Sequence, residues 1–166
     1  MLYNRELLEK LDKFTAAPWQ GAVYRFTLGD YPPDRENTRG ARWNPVDVAT
    51  IYTSLSRDVV LAEGERLIAV QGIPPTAKRN VYTIEVTLHS VMNLADKRDL
   101  TVLGLTDAAL AGDDHFPCQL VGGAVEWLGH DGLLVPCART TGTNLVIFPS
   151  KRKPDHKFEI IDREIS

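Results

Sequence analysis

The chain has 166 residues, 43% of them hydrophobic and 25% charged, which is an ordinary globular composition at a length that suits one domain with a sizeable core. Its formal net charge of -3 and pI of about 5.8 supply no broad positive field, which argues against a nucleic-acid-binding protein. No apolar run approaches the ~20 residues that a membrane-spanning helix needs.

The first ten residues include Arg5, Glu6, Glu9 and Lys10 rather than the apolar segment of a secretory leader, so a cytoplasmic location without membrane association is expected. Asn4 is placed to cap a first helix whose apolar face is Leu7, Leu8, Leu11 and Phe14. Residues 22–27, Ala-Val-Tyr-Arg-Phe-Thr, read as a strand. On alternation, Arg25 shares a face with Val23, and Tyr24 with Phe26. Residues 28–41 are polar and rich in Pro, Asp, Arg and Gly, the composition of a loop. Residues 51–53 form a short strand, and Ser54 or Ser56 then caps a helix over roughly 56–70, with Asp58 in its first turn. Residues 81–88 alternate apolar and polar side chains and form the clearest strand. Short helices are expected around 106–111 and 119–129, and strands at 133–135, 145–148 and 158–161. Neither Pro32-Pro33 nor Pro74-Pro75 separates domains, so residues 1–166 are read as one. Strands and helices mix without strict βαβ alternation, which predicts an α+β fold.

Cys118 and Cys137 lie far apart with no CxxC pair and are read as reduced thiols. His89, His115, His130 and His156 lack metal-ligand spacing, and no metal is expected.

One residue in the 56–70 helix is out of place. At 100° per residue, Val59, Val70, Glu63, Leu67 and Val60 fall within one arc of about 100°. Glu63 lies near the middle of that apolar arc, while Leu61 and Ile68 decorate the far face. A buried carboxylate without a partner is costly, so Glu63 either pairs with Arg66 or serves a site. Arg39 and Arg42 flank Gly40 and Ala41 in the preceding segment. They read either as loop charges paired with Asp34, Glu36 or Asp47, or as planar donors for a diphosphate. Trp43 and Tyr52 read either as core aromatics or as a stacking wall for a base or nicotinamide ring.

The ordered series Tyr24-Arg25, then Arg39-Gly40-Ala41-Arg42-Trp43-Asn44-Pro45, then Tyr52-Thr53-Ser54, then Ala62-Glu63 resembles the RES-domain family. Val135-Pro136-Cys137-Ala138-Arg139 and Asn144-Leu145 are similar to that family's closing segment, so the resemblance runs from about residue 20 to about residue 150. It implies a split, mixed or antiparallel β-sheet core with flanking helices, similar to the ADP-ribosyltransferase fold. It also implies an NAD-degrading toxin of a bacterial toxin–antitoxin pair. In that reading NAD is substrate rather than cofactor, water or inorganic phosphate is the acceptor, a cognate antitoxin is the partner, and homodimerisation is expected.

Carried over, the resemblance makes Glu63, Arg25 and Tyr52 the catalytic group. Arg42, Arg39, Trp43, Tyr24, Ser54, Cys137 and Asn144 become substrate-binding residues. Arg25 and Arg42 would hold the diphosphate, and Glu63 would stabilise positive charge developing on the ribose. Two departures stand out: Ala41 replaces the second of two glycines, and Cys137 replaces the serine that usually follows the proline. A thiol is a weak hydrogen-bond donor, so this change bears on activity. Rival expectations are an ADP-ribosyltransferase acting on a macromolecule, and an NAD-binding module that has lost turnover.

Overall fold

The computed structural model describes residues 3–138 and 140–165; Arg139, part of the closing segment quoted above, lies outside the described residues. The chain forms a mixed α/β protein. Helix α1 (Arg5–Leu11) starts where expected, with the Asn4 side chain accepting from the Glu6 backbone N–H at 2.7 Å. Strand β1 (Ala16–Leu28) runs well past the expected 22–27. Its early half is interrupted by Pro18 and Gly21, which hides it from an alternation search, and a register shift between Ala17 and Trp19 absorbs the irregularity.

Strand β2 (Ile51–Ser54) leads into helix α2 (Arg57–Gln71). Of the two candidate caps, Ser56 is the one used: its hydroxyl accepts from the Val59 N–H, and Gly72 ends the helix with φ at 64°. Strand β3 (Arg79–Asn93) is also longer than expected. Helix α3 (Lys97–Val102) was not anticipated, because its single buried residue, Leu100, leaves no periodicity to read. Helices α4 (Asp107–Ala111) and α5 (Phe116–Trp127), strands β4 (Gly132–Pro136) and β5 (Thr143–Ile147), and the exposed strand β6 (Lys157–Ile165) complete the order. No helix among the described residues is long and apolar enough to cross a membrane.

The strands hydrogen-bond in the order β1-β2-β5-β4-β3-β6, and β1 also pairs with β3. The first five strands therefore close on themselves, with β6 added along β3. All neighbours are antiparallel except β3 and β4. One face of these strands buries Val23, Ile51, Ile84, Val86, Leu88, Leu134, Leu145 and Ile147 together. The other face carries Met92, Leu133, Val135 and Val146 against apolar residues of α1, α3, α4 and α5. Two stacked clusters made from alternate residues of the same strands are what period-2 geometry demands.

The closure is uneven. β1 and β3 pair from Ala16↔Met92 to Leu28↔Arg79, whereas β1 and β2 meet at one register point, Tyr24↔Ser54. Ser54 also pairs with Asn144 of β5, and Asn144 with Val135 of β4, so one row of residues spans four strands. Beyond Tyr24 the two strands part.

Helix α5 is pressed onto the segment before β2. A Cβ on Gly122 would lie 1.8 Å from the Trp43 carbonyl oxygen, and one on Gly123 would lie 2.2 Å from the Tyr3 hydroxyl. The first clash is with backbone and has no soft partner. Gly122→Ala should therefore cost about 1–3 kcal/mol, read as a lower denaturation midpoint in urea. Gly21→Ala, which meets only the Trp19 ring at 3.1 Å, should cost less.

Candidate active site

Where β1 and β2 diverge, a cavity of about 230 Å³ opens. The strands supply Arg25 and Phe26 from one side and Tyr52 and Thr53 from the other; Val60, Glu63, Gly64 and Leu67 of α2 roof it, and Asn144 closes one end. These strand residues directly follow the Tyr24↔Ser54 contact in each direction, so the cavity is the seam itself. Four residues picked from the sequence, Arg25, Tyr52, Glu63 and Asn144, meet here. Tyr24 and Ser54 form the contact that precedes the opening. Cys137 enters from the hairpin between β4 and β5, where its thiol donates to Asn144 Oδ1 at 3.1 Å and lies near enough to the Glu63 carboxyl to act on its ionisation.

Helix α2 presents Glu63 differently from the expected arc. Its buried residues are Val60, Gly64 and Ile68. Ile68, expected on the far face, is in the buried stripe, while Leu67 and Val70 are 42% and 71% exposed. The cause is Gly64: its Cα lies so close to the Phe26 ring that an added Cβ would come within 2.5 Å of it. The helix thus seats on its glycine. Glu63 lies at the border of the buried stripe, about 60° around from Val60 at 100° per residue. It is half-buried.

Burial raises the Glu63 carboxyl above its ordinary pKa, and the Cys137 thiol opposes the rise more than the charge of Arg66 does. The same neighbourhood pushes the Cys137 thiol to about 12, mainly through burial and then through the Glu63 charge. Cys137 therefore stays a protonated donor at neutral pH and is no nucleophile. Arg25 sits opposite. Burial lowers its pKa, opposed by Tyr31 and Asp34, yet a guanidinium remains charged. It donates to the Pro33 carbonyl at 3.0 Å, which leaves further N–H donors of its fork for a ligand.

The Tyr52 hydroxyl is engaged twice away from the cavity. It accepts from the Trp43 N–H at 3.0 Å and donates to Asn44 Oδ1 at 2.5 Å. Burial holds its pKa up to about 12. What Tyr52 offers the cavity is its ring, not a titrating phenol.

Three expected ligand-binding residues are placed elsewhere. Arg42 donates to the carbonyls of Ala109 at 3.2 Å and Gly112 at 3.0 Å, so it satisfies the C-terminal end of α4 rather than facing the cavity. Trp43 is a core residue, 3% exposed, packed with α5. Arg39 is exposed, and its backbone N–H is held by the Asn37 side chain at 3.1 Å. Conversely, Phe26, Thr53, Val60, Gly64 and Leu67 line the cavity without having been singled out. Only Gly64, an isolated glycine inside a helical pattern, carried a readable signal.

A carboxylate and a guanidinium facing one cavity, at the seam of a closed run of strands under a helix, define a mixed α/β protein with a charged cleft. The chain belongs to the RES domain family, whose description its residues 12–165 match. It is 30% identical over 158 residues to the NAD(+) phosphorylase MbcT of Mycobacterium tuberculosis (strain H37Rv), covering 89% of this chain and 84% of that one. The protein of the same name from Mycobacterium bovis matches equally. The fold superposes with a TM-score of 0.85 and 26% identity on the crystal structure of the M. tuberculosis MbcT–MbcA toxin–antitoxin complex, covering 98% of this chain and 93% of that one.

Two predictions follow from the carboxyl–thiol pair. A serine hydroxyl is a stronger donor than a thiol, so Cys137→Ser should lower the Glu63 carboxyl pKa and Cys137→Ala should raise it, as followed by ¹³C NMR titration. No change in either variant would show that Cys137 does not act on the carboxyl. Because the folded-state pKa of Glu63 is raised above its ordinary 4.5, its contribution to stability is full below that value and is lost as pH rises through the folded pKa. Glu63→Gln should accordingly raise the thermal midpoint at pH 7, and the gain should vanish in acid.

Proposed function

We propose that the protein degrades NAD by breaking the nicotinamide–ribose bond with phosphate as acceptor, and that it acts as the toxin of a toxin–antitoxin pair. The observation that carries this reading is the meeting of Glu63 and Arg25 in one cavity at the β1–β2 seam. The names of the relatives and of the solved complex support it, and the seam between β1 and β2 supports an ADP-ribosyltransferase-like description of the fold.

Nicotinamide in NAD is cationic, so the departing ring takes the bonding pair and leaves neutral. No general acid is required. Positive charge grows on the ribose, and an ionised Glu63 beside it stabilises that charge while accepting from ribose hydroxyls. Phosphate oxygen then bonds to the ribose carbon that lost nicotinamide. Arg25 holds the diphosphate by charge and by its planar donor fork. The Tyr52 ring forms a wall of the cavity. Asn44 and the Trp43 backbone fix that ring, and Arg42 and Trp43 act through this brace rather than on substrate. Cys137 sets how readily Glu63 ionises. A cleft this open is also the surface that an antitoxin would block.

Purified protein with NAD and phosphate should release nicotinamide and form ADP-ribose carrying one added phosphate, identifiable by mass. Glu63→Gln keeps shape and removes charge, and it should lower kcat by at least about 100-fold. The acid limb of kcat/KM should fall above the ordinary glutamate range, since activity needs Glu63 ionised and its pKa is raised. Turnover by Glu63→Gln at the wild-type rate would refute the assignment.

A further inference from the structure

The cavity beside Glu63 holds about 230 Å³, below the ~300–1,000 Å³ of sites that enclose a drug-sized ligand. A dinucleotide is larger than such a ligand, so most of it must lie outside. Arg25 marks the direction. It lines the cavity and also lines a second groove of about 360 Å³, bordered by Leu28, Tyr31, Leu67 and Gln71. Phe26 and Leu67 are likewise shared, so the two spaces adjoin, with the Arg25 side chain at their common border. We infer that this second groove seats the distal base of the dinucleotide, with the Tyr31 ring as its stacking platform.

Tyr31 suits that task by exposure and by support. The residue is 40% exposed, a large aromatic at the surface of a mainly polar segment. The turn that carries it is anchored: Gly29 N–H donates to Lys78 O at 2.8 Å, Tyr31 N–H to Leu28 O at 3.2 Å, and Asn80 Nδ2 to Gly29 O at 2.8 Å. Gly29 takes φ of 60°, which the turn requires and glycine accepts without strain. The Arg25 guanidinium lies 5.9 Å from the ring centroid, so ring and cation form one surface for a base and its phosphates. The exposed Arg35 guanidinium lies over the ring at 5.0 Å from its centroid. An exposed cation on a ring is held weakly, whereas aromatic stacking under a base is the stronger contact, so an arriving base displaces Arg35.

The groove on the other flank of Glu63 fits the distal half less well. It is bordered by Ala62, Arg66, Val70 and Ala138 and offers no aromatic surface.

This inference rests on the NAD reading, and the experiment separates the two. Nicotinamide release is measured from NAD and from nicotinamide mononucleotide, which lacks the distal base, for wild type, Tyr31→Ala and Tyr31→Trp. Calorimetry with AMP supplies a readout that needs no turnover. Tyr31→Ala should raise KM for NAD about tenfold with kcat nearly unchanged, leave KM for the mononucleotide unaltered, and weaken AMP binding similarly. Tyr31→Trp should restore all three. Equal losses on both substrates would show that Tyr31 merely supports Arg25, and unaltered NAD kinetics with unaltered AMP binding would refute the platform outright. If wild type releases no nicotinamide yet binds AMP in a Tyr31-dependent way, the cleavage reading fails and the base site stands. If AMP does not bind at all, the base site falls.

Discussion

The contact on which the rest depends is the single pair Tyr24↔Ser54, where β1 touches β2 and then leaves it. A strand end normally continues its ladder or frays into solvent. Here β1 keeps its full pairing with β3 while abandoning β2, so the backbone stays ordered on one side and opens on the other. That asymmetry creates a cleft with rigid walls. The row Tyr24, Ser54, Asn144, Val135 then ties the seam's origin to two further strands, β5 and β4, and Cys137 and Asn144 inherit fixed positions from it. A site built on strand ends in this way holds its groups without adding a dedicated loop.

Energetically the cleft works against the fold. Glu63 would be less costly as a neutral or apolar side chain at its half-buried position, and its raised pKa is the measure of that conflict. The fold tolerates it because the thiol of Cys137 offsets part of the desolvation, and because Gly64 gives α2 a close seat on Phe26 that burial of a longer side chain would spoil. Strain of this kind, placed in a cavity and compensated by neighbours, is what a catalytic carboxylate requires.

Much of this was readable beforehand, for reasons that differ by element. The Ser56 cap, the β3 alternation and the Asn4 cap are local, so short-range chemistry announces them. β1 was read only in its regular half, because Pro18 and Gly21 are compatible with a strand only through long-range pairing with β3. Helix α3 depends on one buried leucine and leaves no pattern. Glu63 stands out through an arc that tertiary packing uses only in part: Val60 is buried and Leu67 borders the cavity, while Val70 is 71% exposed. The helix seats on Gly64, a residue with no side chain and hence no hydrophobic signal, which rotates Leu67 and Val70 outward and Ile68 inward. Glu63 remained conspicuous because it borders both the expected stripe and the actual one.

The order of residues in the motif series conveys membership more reliably than role. Arg25, Tyr52, Glu63 and Asn144 line the cavity, while Arg42, Trp43 and Asn44 form a brace behind it. The brace has a definite physical route. α5 approaches through Gly122 and Gly123, whose missing side chains let the helix rest on the Trp43 carbonyl and the Tyr3 ring. Gln119 donates to the Ala41 carbonyl at 2.9 Å, and Arg42 closes α4. The segment so held presents the Trp43 N–H and the Asn44 side-chain Oδ1 to the Tyr52 hydroxyl. An arginine beside a tryptophan in such a series therefore need not touch a ligand at all. It can be as necessary as a binding residue, since loosening it would free the one aromatic ring that walls the cavity from the β2 side.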